Sequence, residues 1–246
     1  MERFRTGRGR LRDAAAVIGA ALWLGAAAAP AQAQTLTAAT VAIAAPARAD
    51  FGAAHASNDV RRMADGVIAT GDNAGAPFVI IDKLAARVFV FDARGKLSGA
   101  VPVLLGLARG DDIAPGIGDR KLADIGPPDR VTPAGRFIAS LGHDLGEKDV
   151  LWVDYKAGVA LHRVITTNPR EHRLQRLASA SPRARRISYG CINVPAAFYD
   201  AVIDPTFAAT SGVVYILPET RPLEQTFAGI AAPSRPESPT AGQSPR

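Results

Sequence analysis

A chain of 246 residues with a net charge of +6 and a pI near 9.9 can hold one large domain or two small ones, and suits an anionic environment such as a cell wall or membrane surface. Its single cysteine excludes an intramolecular disulfide and a Cys-x-x-C redox pair. It also leaves no zinc-site spacing, since the four histidines are scattered and no His-Glu-x-x-His is present.

In chain order, the first 13 residues carry five arginines, and an apolar run of about sixteen residues, "AAAVIGAALWLGAAAA", follows. "AQA" then gives the small-x-small pattern of a processing site. Together these features predict a secretory signal peptide over residues 1–33, cleaved after Ala33. The run is short for a membrane span, which needs ~20 apolar residues. There is no twin arginine, so the general secretory route is expected. The mature chain is therefore expected in the periplasm or cell envelope, where nucleic acid is not a partner. A lone thiol in that oxidising setting needs either burial or a job.

Residues 34–75 read as an alanine-rich lead-in with one short helix. Ser57 or Asn58 caps the helix, and Gly66 or Gly71 ends it. From Phe78 the pattern becomes extended. "FVIID", "RVFVFD" and "KLSGAVPVLLG" predict hairpin-linked strands, and the weak alternation of "RVFVFD" predicts cover on both faces. A Gly- and Pro-rich segment without periodicity follows over 108–135, and a loop this long inside a domain is usually functional. "RFIASL", "VLWVD" and "VALHRV" resume the strands. Residues 166–186 form a second long excursion, "NVPAAFYDAVID" reads as a helix with Pro195 in its first turn, and "GVVYILP" is a last strand. The Pro/Ser-rich residues 220–246 are expected to be a disordered tail. The folded unit is residues 76–219: mainly β, a sandwich or barrel-like domain with one or two short helices and long loops, large enough for one ordinary core.

The only cysteine, Cys191, lies in "RRISYGCINVP". If a helix starts soon after it, the partial positive charge there favours a thiolate. Gly190 permits a close backbone approach, and the N–H groups of Tyr189, Gly190 and Cys191 are candidates for an oxyanion hole. Such a thiol needs a base. His55 lies in the lead-in, His143 in a polar turn, and His172 among arginines. His162 sits in an apolar strand, where a polar ring needs a partner. A buried structural cysteine and a core histidine are the alternative reading.

"LHRV", followed by "SYGCINV", resembles the L,D-transpeptidase (YkuD-type) catalytic domain family, whose signature is a strand histidine and then Ser/Thr-His-Gly-Cys-x-Asn or Arg. On that resemblance His162 matches the general base, Ser188 the Ser/Thr, Gly190 the glycine, Cys191 the nucleophile and Asn193 the Asn/Arg. The backbone carbonyl of Arg163 matches the group that orients the imidazole. "TPAGRF" (132–137) is similar to a Thr-Pro-x-Gly-x-Phe segment of the family, and the likeness spans residues 76–219. Tyr189 departs from the family's second histidine. The 29 positions from His162 to Cys191 exceed the commoner gap, and the extra residues carry seven arginines (163, 170, 173, 176, 183, 185, 186) against Glu171. That run is either a solvated face or a lid for carboxylates.

The resemblance implies a cofactor-free, monomeric cysteine acyltransferase with an L,D-transpeptidase-like β-sandwich. It would act on peptidoglycan stem tetrapeptides, release D-alanine, and pass the acyl group to a stem amine, a lipoprotein or water. Arg186 and Asn193 are candidate substrate contacts. An L,D-carboxypeptidase and a non-catalytic wall-binding module are the alternatives. A serine hydrolase is disfavoured because no Gly-x-Ser-x-Gly is present.

Overall fold

Apolar strands bounded by turns dominate the chain, and they assemble as expected into a mainly β fold. The computed structural model describes residues 48–144, 146 and 149–231. The expected signal peptide, the rest of the lead-in before residue 48 and the tail beyond 231 lie outside the described residues. The described residues hold ten strands, β1 (Phe78–Asp82), β2 (Arg87–Phe91), β3 (Leu97–Pro102), β4 (Leu105–Gly106), β5 (Gly135–His143), β6 (Asp149–Asp154), β7 (Val159–Arg163), β8 (Arg186–Ser188), β9 (Ile192–Val194) and β10 (Gly212–Ile216). Eight of them form one mixed sheet in the order β3-β2-β1-β10-β5-β6-β7-β9, while β4 pairs with β8. The sheet nearly closes on itself. Leu104, just past edge strand β3, exchanges two backbone hydrogen bonds of 2.9 Å with Asn193 on the opposite edge strand, β9. This seam satisfies polar groups that an open edge would leave unpaired, and Cys191 lies two residues from it.

Side chains alternate across the strands, so β1, β2 and β10 feed two apolar layers. Val79, Ile81, Val88, Val90, Val214 and Ile216 point into the enclosed core with Leu151, Leu161, Ile192 and Val194. Phe78, Ile80, Phe89, Phe91 and Tyr215 point to the other side. There they meet helix α1 (Asn58–Thr70), whose buried face is Val60, Met63, Ala64 and Val67, the i, i+3, i+4, i+7 stripe of an amphipathic helix. Covering each large side chain stabilises the fold by about 1.5–3 kcal/mol. The weak alternation of β2 thus reflects two covered faces. Ser57 caps α1 by accepting from the Val60 N–H, and Gly71 closes it in the left-handed conformation. Gly66 does not end the helix. It is a close-approach position, where a Cβ would lie 2.1 Å from the Ile230 carbonyl oxygen.

That approach marks a departure from the expected tail. Residues 221–231 pack onto the second layer through Leu223, Phe227 and Ala231 and include a short helix (Leu223–Thr226). Their apolar spacing is enough to order them despite the polar surroundings. The helix expected from Asn193 starts later. Residues Ile192–Val194 continue as strand, and Ala196–Phe198 opens a helical segment that passes through a π turn (Tyr199–Ile203) into Asp204–Phe207. Strand pairing with β7 prevails over helix propensity at 192–194. Cys191 therefore precedes a strand, and the helix-start argument for its thiolate does not hold.

Candidate active site

Two parallel strands set the site. β7 and β9 pair in the register Leu161↔Ile192, His162↔Asn193, Arg163↔Val194. Carried back one step, this register sets Cys191 beside Ala160. Because strand side chains alternate, residues 191 and 193 face the same way as 160 and 162. The Cys191 Sγ contacts the Gly158 carbonyl at 3.5 Å. Burial pushes the Cys191 thiol pKa up, against backbone hydrogen bonds from Ala160 and Cys191 and the positive charge of Arg173. The free thiol is therefore the resting form near neutral pH.

The imidazole is held by both nitrogens. Nδ1 is 2.7 Å from the Arg163 carbonyl oxygen, and Nε2 is 3.3 Å from the Asn193 side-chain nitrogen. The Arg163 guanidinium points away, pairing with Asp200 at 2.6 Å and lying over the Tyr199 ring at 4.1 Å. Fixing that residue fixes the carbonyl that orients the ring.

The loop before Cys191 is tied at each residue. Ser188 Oγ donates to the Cys191 carbonyl at 2.6 Å and accepts from the Gly190 N–H at 3.2 Å. The Gly190 N–H is thus engaged inside the loop, which removes it from the three N–H groups considered for an oxyanion hole. Gly190 has φ 134°, and a Cβ there would come 2.8 Å from the Val131 carbonyl oxygen. Tyr189 stacks under the Arg130 guanidinium, 3.9 Å from ring centroid to Cζ. Tyr189 thereby ties Arg130, in the long 108–135 segment, to the cysteine loop.

That segment is clipped at both ends by a residue the sequence did not single out. Lys83, fully buried, donates from Nζ to the Gly110 carbonyl (2.5 Å), the Asp111 carboxylate (2.8 Å) and the Thr132 carbonyl (2.9 Å). Three acceptors call for three protons, so the ammonium is charged. Burial pulls its pKa down, and the hydrogen bond and charge of Asp111 oppose this. Burial likewise works against the Asp111 carboxylate, but hydrogen bonds from Lys83, Thr220 and two backbone N–H groups outweigh it and hold its pKa below the usual range. Thr132, also fully buried, donates to the Gly190 carbonyl at 2.8 Å. Lys83 thus positions Thr132, and Thr132 positions the cysteine loop.

Cys191 and Tyr189 line a cavity of about 100 Å³ under residues 113–131, whereas His162 lines a separate one of about 450 Å³ with Asp149, Val164 to Thr167 and Ala196. A larger cavity, of about 640 Å³, lies elsewhere, beside Lys83, Arg109, Arg183, Arg186 and Glu219. Arg186 belongs there and is not gathered with Cys191. It pairs with Glu219 at 2.6 Å and donates to the Lys83 carbonyl at 2.9 Å. His55, His143 and His172 are exposed. Among the described residues no group of three or more His, Cys, Asp or Glu is arranged to hold a metal ion, and no helix is long and apolar enough to cross a membrane.

No protein-family model matches the chain, and no curated protein matches it. Solved structures similar to it include L,D-transpeptidase catalytic domains. The catalytic domain from the E. faecium L,D-transpeptidase is 15% identical, with 58% of this chain and 98% of that one covered and a TM-score of 0.33. The Ldtfm–avibactam carbamoyl enzyme is 15% identical over 58% of this chain and 49% of that one, with a TM-score of 0.34. The helical cell shape determining protein Pgp2 from Campylobacter jejuni is 13% identical over 59% and 49%, with a TM-score of 0.40. The chain spans about half the length of the last two.

Proposed function

We propose that the protein is an exported cysteine acyltransferase of the L,D-transpeptidase type, acting on peptidoglycan stem peptides. The observation that carries this reading is the placement of the only cysteine two residues before Asn193, which lies in register with His162 on the neighbouring parallel strand. A ring whose Nδ1 is held on a carbonyl has its other nitrogen, Nε2, for the thiol proton.

In the proposed reaction His162 Nε2 takes the Cys191 proton as the thiolate attacks the carbonyl preceding a terminal D-alanine. Backbone N–H groups of the 189–191 loop other than that of Gly190 stabilise the oxyanion. The C–N bond then breaks, and the imidazolium returns the proton to the leaving amine. An acceptor amine arriving from the His162 side loses its proton to the same nitrogen while it opens the thioester. The two cavities, one at the sulfur and one at the ring, favour entry of donor and acceptor from different sides.

Incubation of residues 34–246 with a disaccharide-tetrapeptide, followed by mass analysis of the products, tests this. A cross-linked dimer and free D-alanine are expected. Tripeptide monomer alone would indicate hydrolysis instead. No product, or the same product from Cys191→Ser, would reject the acyl chemistry.

A further inference from the structure

The basic excursion between β7 and β8 reaches Asn193 through Arg173. Helix α2 (Arg173–Ala178) begins with Arg173, whose side chain is 11% exposed. Its NH1 donates to the Asn193 side-chain oxygen at 2.6 Å, and its Nε pairs with Glu171. The excursion is fastened around it. Arg176 donates to the Glu171 and Ala184 carbonyls, and Arg185 donates to those of Ala85, Ala86 and Ser179.

A guanidinium has donors only, so the atom of Asn193 that faces it must be Oδ1. The amide nitrogen then points at His162 Nε2, 3.3 Å away, and also lies 3.5 Å from the Cys191 carbonyl oxygen. An NH₂ group facing Nε2 needs a lone pair there. The ring proton therefore sits on Nδ1 and is donated to the Arg163 carbonyl at 2.7 Å.

The geometry points to Arg173 as a positioning residue: by fixing the Asn193 amide it fixes the neutral His162 tautomer that can accept the thiol proton. The inference deepens the acyltransferase reading and rests on it for its purpose, though the tautomer itself does not. When Nε2 takes the Cys191 proton, the Asn193 N–H loses its acceptor. A resting imidazolium–thiolate pair is thus disfavoured, and the charge separates only when a carbonyl is present to consume the thiolate. The Arg173 charge, which favours the thiolate, acts in the same step.

Nitrogen-15 NMR of histidine-labelled protein, with the His162 signals assigned by their loss in His162→Gln, reads the tautomer directly. Wild type is expected to show a protonated Nδ1 and a bare Nε2. Arg173→Met frees the Asn193 amide to turn and should give mixed tautomers, with acylation of Cys191 by a carbapenem slowed about tenfold, about 1.4 kcal/mol in barrier. Arg173→Lys should restore part of the rate. Asn193→Asp, which keeps the Arg173 contact but offers Nε2 an acceptor, should protonate Nε2, and it carries the test if Arg173→Met does not fold. A wild-type tautomer in folded Arg173→Met, or a bare Nε2 in Asn193→Asp, would overturn the inference. Failure of the acyltransferase reading would show separately, as wild-type protein that forms no adduct.

Discussion

Thr132 and Gly190 lie 58 positions apart in sequence and are joined by a buried hydrogen bond of 2.8 Å from the threonine hydroxyl to the glycine carbonyl. The same hydroxyl accepts from the Gly106 N–H at 2.8 Å, and the Thr132 carbonyl accepts from Lys83. One side chain thus links the cover segment, β4 and the loop that carries Cys191.

Thr132→Val keeps the shape and removes the oxygen. The Gly106 N–H then stays buried without its partner, at a cost of about 1–3 kcal/mol. Chemical denaturation should show this loss. Acylation of Cys191 in the folded fraction should slow as well, because the Gly190 carbonyl is no longer fixed. Unchanged stability would contradict the linking role.

Gly190→Ala should be more damaging than a surface Gly→Ala. Its φ of 134° disfavours an L side chain, and the new Cβ would meet the Val131 carbonyl. Expression with a lowered melting temperature, or folding with loss of Cys191 acylation, is expected. Wild-type behaviour in both would show that the loop is free to move.

The Lys83–Asp111 pair sets two stability predictions. Lys83→Met leaves Asp111 buried without its cation and should cost about 3–5 kcal/mol, while Glu219 keeps Arg186 and Arg109. The Asp111 pKa is depressed by folding, so its contribution is present above the unfolded value near ~4 and is lost as pH falls toward the folded one. Wild type should therefore lose stability between about pH 5 and 3 more steeply than Asp111→Asn. Parallel curves in urea titrations would contradict this.

The raised Cys191 pKa predicts the pH dependence of its reactivity. A raised value means that the neutral thiol prevails until pH exceeds that of an ordinary cysteine, ~8.5. Alkylation by iodoacetamide in the absence of substrate should rise through a midpoint above it. A midpoint well below would indicate a resting thiolate and contradict the neutral pair.

What the sequence showed and what it hid follow from the range of the interactions. β1, β2, β5, β6, β7 and β10 are local apolar runs bounded by turns, and Ser57 and Gly71 are local caps, so each is readable from a short window. β8 and β9 are three residues each and exist only through their partners, which is why Asn193 and Val194 read as helix. Leu223 and Phe227 are ordered by α1 and Tyr215, partners far away in the chain. Cys191, His162 and Asn193 stood out in sequence by residue type and by likeness to a family motif, and the fold sets Asn193 in register with His162. Lys83 and Thr132 act across 26 to 58 positions, and nothing in "DKLAA" reveals a buried ammonium. Arg173 was one of seven arginines that look alike in sequence, and only the fold shows that it reaches Asn193.

The most direct measurement is the intact mass of the protein after exposure to a carbapenem, with the adduct located by peptide mapping. A single acyl group on the peptide that contains Cys191 is expected in wild type, formed more slowly in His162→Gln and absent in Cys191→Ser. An unmodified wild-type protein, or the same added mass on Cys191→Ser, would contradict the claim that this sulfur is the nucleophile.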